Sequence, residues 1–104
     1  MSPAPAELLA DLPGADRILQ GLQDFQHGRP SIPACLVRMA RPRLSRAGLL
    51  PPSSPLDDGA ELDLYQQLAL EGPGAHSRYN ALIRELISFE HALDQRLRHL
   101  KARS

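Results

Sequence analysis

The chain has 104 residues, and its twelve lysines and arginines match its twelve aspartates and glutamates, leaving a formal net charge of zero with histidine neutral. That balance argues against a globally basic nucleic-acid binder and against an acidic disordered tail. A chain of this length makes one domain, residues 1–104, whose core should bury roughly 65 % of the unfolded surface.

Leucine and alanine dominate, whereas the β-branched residues number five, there is no threonine, and only four residues are aromatic. Strands favour β-branched and aromatic side chains, so the composition predicts an all-α fold: a small single-domain bundle of four to five helices with a long C-terminal helix. Residues 1–6 read as a disordered tail. Leu8, Leu9 and Leu12 suggest a helical turn before Pro13-Gly14. Ile18, Leu19, Leu22 and Phe25 then recur at the spacing of one buried helical face, which Gly28 ends. Ser31 is placed to cap the next helix, which shows Ile32, Leu36 and Met39 or Ala40 on one face and stops or kinks at Arg41 before Pro42. Arg43 to Ala47 form one more short turn, and residues 48–59, with three prolines, are a connection whose leucines lie against the core.

Asp58 with Glu61 resembles a capping box, and Leu62, Tyr65, Leu68 and Ala69 make the expected buried stripe of the helix that follows. Gly72-Pro73-Gly74 ends it. The last helix spans about Ser77, as its cap, to Lys101. Leu82, Leu86, Phe89, Leu93, Leu97 and Leu100 line one side, while Arg84, Ser88, His91, Gln95 and Arg98 line the other.

The zero net charge conceals blocks: −3 over residues 1–24, +5 over 25–56, −5 over 57–71 and +3 over 72–104. Acids at 57–63 suit a helix start and bases at 38–41 and 96–103 suit helix ends, so helix dipoles account for most of the alternation. Arg29, Arg43 and Arg46 escape that explanation. Together with Arg38 and Arg41 they form a candidate contact for anions or phosphate, through bidentate hydrogen bonds, unless the acidic block at 57–71 engages them within the fold.

No other pattern carries chemistry. The four histidines stand in no HExxH or ExxH arrangement; His91 and Asp94 share a helix face but lack further ligands, so no metal or other cofactor is expected. Cys35 lies in the apolar run ACLV, reads as a small buried hydrophobe, and demands no oxidising compartment. The start of the last helix gathers His76, Arg78, Tyr79 and Asn80, which suggests a minor ligand site. With no acid, base and nucleophile set to assemble, the chain reads as a non-enzyme. With neither signal peptide nor membrane span, it reads as a small helical protein of bacterial-cytoplasm type. Its expected function is binding another protein or itself, as a homodimer, through the apolar strip of the C-terminal helix at Phe89, Leu93, Leu97 and Leu100. The alternative is binding nucleic acid or a phosphate ligand through the arginines at 38–46, which would weaken steeply with salt.

Overall fold

The structure, a computed structural model, describes residues 5–50 and 59–103. All the regular structure in those segments is helical: α1 (Pro5–Leu8), α2 (Ala15–Gln26), α3 (Ile32–Met39), α4 (Arg41–Arg46), α5 (Ala60–Leu70) and α6 (Ala75–Arg103). The count exceeds the four to five expected because the Leu8 turn and the segment restarted by Pro42 are helices of their own. Pro42 sits in the first turn of α4, where its missing N–H costs nothing. Pro5 and Ala6 belong to α1 rather than to a tail; residues 1–4, most of the proline-rich connection and the capping-box Asp58 lie outside the described residues.

The arrangement is built from the inside outward around α3. Ser31 caps it as expected, its Oγ accepting from the Ala34 amide at 3.1 Å and donating to Asp24 Oδ2 at 2.7 Å. Asp24 is buried near the end of α2 and also accepts from Gln20 Nε2, so one carboxylate joins two helices across their connecting turn. Beyond the cap, Ala34, Cys35, Leu36 and Val37 are all buried. Four consecutive buried residues cover every direction around a helix, which only a central element can satisfy.

What lets α3 reach that position is Gly21 on α2. A β-carbon there would lie 2.3 Å from the Pro33 carbonyl oxygen and 2.6 Å from a Val37 methyl. The two helices therefore cross with backbone nearly against side chain, which only glycine permits. Helix α5 packs on another side of α3, burying Ala60, Leu64 and Leu68.

Helix α6 runs for 29 residues, about 43 Å at ~1.5 Å per residue, and accounts for the 47 Å length of the molecule. Leu86, Phe89 and Leu93 enter the core, with Leu82 and Leu97 at its margin. Two ion contacts fix its flanks. Arg43 on α4 donates through Nη1 to Glu90 at 2.9 Å and through Nε to Asp94 at 3.1 Å. On the other flank Arg96 donates to the carbonyls of Leu8 at 2.9 Å and Ala10 at 2.5 Å, satisfying acceptors that the end of α1 leaves open. Ser77 is not the cap of α6: the helix starts two residues earlier, after Gly74, whose carbonyl accepts from the Arg78 amide.

Replacing Gly21 with alanine should lower the unfolding free energy by roughly 1–3 kcal/mol, because α2 and α3 must separate to admit the methyl group. Urea denaturation of Gly21→Ala followed by circular dichroism checks this; an unchanged midpoint would show that the crossing is loose.

Candidate functional site

The register of α5 on α3 decides which of its residues face outward. Gln67 Nε2 donates to Cys35 Sγ at 3.4 Å and Arg38 Nη1 donates to Asp63 Oδ2 at 2.7 Å. Rising numbers on α3 thus meet falling numbers on α5, and the helices run antiparallel. In this register the expected buried stripe is mostly on the surface. Leu68 is inside, but Leu62 is 61 % exposed, Tyr65 and Ala69 are exposed, and Leu70 is 87 % exposed. The correction has a physical cause. Leucines at 62, 64, 68 and 70 give α5 two competing apolar stripes, and the ion pair and the thiol contact select the one through Ala60, Leu64 and Leu68.

A depression lies on each side of the exposed ridge. The first, about 520 Å³, opens between α5, α3 and the α2–α3 turn, with Phe25, Ala34 and Leu70 among its apolar lining and Arg29, Gln66 and Gln67 among its polar groups. The second, about 330 Å³, lies between α5 and the start of α6 and is lined by Leu62, Tyr65, His76, Tyr79 and Asn80 with Glu61. Its wall is the edge-to-face pair Tyr65–Tyr79, with centroids 5.6 Å apart at 63°. Three of the four polar residues expected to converge at the start of α6 meet in this depression. The fourth, Arg78, turns away to pair with Glu71 at 2.6 Å.

Cys35 lines the first depression but is almost wholly covered. Burial pushes its thiol above the ordinary cysteine range, and the Arg38 guanidinium only partly opposes this, while Asp63 adds to it. The thiol is therefore neutral near pH 7, and neither Gln67 nor Arg38 is a base that could take its proton.

The arginines expected to hold an anion do not present a common open surface. Arg38 is paired with Asp63. Arg43 is held by Glu90 and Asp94, and the hydrogen bond to Asp94 together with the Glu90 carboxylate raises its pKa further. Arg41 stacks over the Phe25 ring at 5.1 Å. Arg29 and Arg46 are exposed, with no side-chain partner among the described residues. The acidic block engages Arg38 as anticipated, but Arg43 is bound by α6 instead. Asp94, considered beside His91 for a metal, is occupied by Arg43. Among the described residues no three His, Cys, Asp or Glu side chains gather as metal ligands.

The apolar strip of α6 is also corrected. Phe89 and Leu93 are 0 % exposed, enclosed by this chain's own helices, and so offer nothing to a partner. Leu97 is half-buried against the core, and Leu100 alone of the four is exposed, at 41 %. The outer face of α5 was the residue set that periodicity missed. The available signal was that α5 has too many apolar residues for one buried stripe.

Comparison with family models, curated proteins and solved structures finds no match to this chain. No helix among the described residues is long and apolar enough to cross a membrane.

Two measurements test this geometry. Leu93→Ala should cost roughly 2–5 kcal/mol of stability in denaturant titration, against less than about 1 kcal/mol for Leu100→Ala; equal costs would return residue 93 to the surface. Iodoacetamide at pH 8 should alkylate Cys35 at least about tenfold more slowly in the native protein than in urea. Equal rates would mean that the thiol is neither buried nor raised in pKa.

Proposed function

We propose that the chain is a binding protein rather than an enzyme, and that its docking surface is the outer face of α5 in place of the strip on α6. One observation carries this reading. Helix α5 buries Ala60, Leu64 and Leu68 and still turns Leu62, Tyr65, Ala69 and Leu70 to solvent. Large apolar side chains gathered exposed on one face of a helix mark a site of association. The depressions on either side supply the relief into which a partner's side chains can pack, with an aromatic wall on one side and an amide-rich one on the other. The cytoplasm is the compartment we assign, since one neutral, buried thiol requires no oxidising environment. Binding of nucleic acid or a phosphate ligand through residues 38–46 draws little support, since Arg38 and Arg43 are engaged by carboxylates and Arg41 by Phe25, which leaves Arg46 as the open guanidinium of that set among the described residues.

A photo-reactive benzoylphenylalanine substituted at Gln66, in the middle of the ridge, should trap protein adducts in cells. The same group at Gln95, on the solvent side of α6, should trap far fewer. Equal trapping at the two positions, or none at Gln66, would overturn the assignment.

A further inference from the structure

We infer that the depression between α3 and α5 is a site for a small organic monoanion, an apolar body carrying one carboxylate, with the carboxylate held by Arg29. The inference goes beyond the docking of a protein on α5 and does not depend on it.

The depression has the size and the floor for such a ligand. At about 520 Å³ it falls within the roughly 300–1,000 Å³ of small-molecule sites. The floor comes from groups that other contacts already hold in place. Ala34 and Cys35 belong to the buried run of α3, and Phe25 stands in the last turn of α2 with the Arg41 guanidinium over its ring. Leu70 lines the same depression and is largely exposed, so a ligand that enters covers apolar surface which the fold leaves in water.

Charge decides the class of ligand. Three charged residues border the depression, Arg29, Arg38 and Asp63, and the last two pair with each other at 2.7 Å. The net charge of the lining is therefore that of Arg29, whose guanidinium has no side-chain partner among the described residues. Its backbone, in contrast, is fixed. Gly28 takes a φ of 68°, and the Arg29 amide donates to the Asp24 carbonyl at 2.8 Å, the long bond of a Schellman turn that closes α2. Pro30 follows with its restricted φ, and Ser31 caps α3, so the root of this side chain is clamped between two helix ends.

A guanidinium receives a carboxylate through two parallel hydrogen bonds. One cation beside an apolar floor matches one negative charge. A phosphate monoester would bring nearly two, with a single open guanidinium to receive them. Gln66, exposed on the α5 wall, adds carboxamide donors beside the same space.

Titration of the isotope-labelled protein with 4-phenylbutyrate, followed by amide NMR shifts, tests the inference. The shifts should gather at Gly28, Arg29, Ala34, Cys35 and Gln66 and give a Kd of about 1 mM or tighter, the range open to so small a ligand. Two analogues separate the halves of the recognition. 4-Phenylbutyramide keeps the ring and drops the charge, while butyrate keeps the charge and drops the ring. Each should bind at least about fivefold more weakly. Arg29→Gln should weaken 4-phenylbutyrate by a similar factor and, at an exposed position, leave the helical circular dichroism unchanged; were the variant to unfold, the analogues carry the test alone. No shift by about 20 mM, or shifts spread along α6 instead, overturns the site. Binding that survives loss of Arg29 or of the ligand's carboxylate overturns the anion. Butyrate binding as tightly as 4-phenylbutyrate overturns the apolar floor. Each of these failures leaves docking on α5 standing, because that is read from cross-linking at Gln66.

Discussion

Gly21 brings the backbone of α3 to within a distance of α2 that a β-carbon would occupy, and the positions of the other helices follow from that approach. Sunk this far, α3 has no solvent side over Ala34–Val37, so it must be covered in every direction by something apolar. The covering elements are α2 beneath it and α5 alongside, with the buried leucines of α6 completing the enclosure. The turn between α2 and α3 is held shut by Asp24, which accepts from Ser31 while Ser31 caps α3. A glycine sets the separation of the two helices, and a carboxylate sets their register. Neither alone would fix the crossing, because packing at a glycine tolerates sliding and a hydrogen bond at one end tolerates splaying.

The charge pattern is explained partly by helix ends and partly by pairing at long range in sequence. Arg38 lies in the last turn of α3, where a cation is favoured, and the same guanidinium fastens α5 through Asp63. Arg43 is bound by Glu90 and Asp94, more than 40 residues away, so the short helix α4 is tied to the spine of the molecule. Arg96 does the corresponding service on the opposite flank by closing the open carbonyls after α1. Three arginines thus act as ties between elements, but only Arg38–Asp63 joins two blocks of unlike charge, since Arg43 is held by acids of the net-positive last block and Arg96 by uncharged carbonyls. This is a poor basis for recognising an external polyanion, since drawing Arg43 toward a phosphate would leave Glu90 and Asp94, both mostly covered, without their counter-charge.

The long helix was legible in the sequence because six apolar residues kept one period over five turns, and no alternative face competed with them. The Ser31 cap and the restart at Pro42 were legible for a local reason: a hydroxyl before a helix and a proline in its first turn act within a few residues. The orientation of α5 was not. Its apolar residues occupy both sides, so amphipathic reasoning returned a stripe through Leu62 and Tyr65, whereas the ties to Cys35 and Arg38 choose the stripe through Leu64. That choice depends on residues about thirty positions away, which no periodicity contains. The same blindness made the strip on α6 look free, since the residues that enclose it come from other helices far away in sequence, with α5 packed along it and Ile18 and Leu36 beside Leu82, Leu86 and Phe89.

An apolar surplus on a short helix can be resolved in two ways: as a helix buried on all sides, or as a helix buried on one side with the other left for a partner. Helix α3 takes the first course and α5 the second, and the difference between them lies in their polar residues. In α3 the only polar side chain of the helix body is Arg38, at its edge. In α5 the acids sit toward the start and a glutamine stands in the centre of the outer row. Full burial would strand those groups without partners, while full exposure would leave Leu62 and Leu70 in water. An intermolecular contact that covers Leu62 and Leu70 and leaves Gln66 and the acids hydrogen-bonded at its centre and edge satisfies all of them at once.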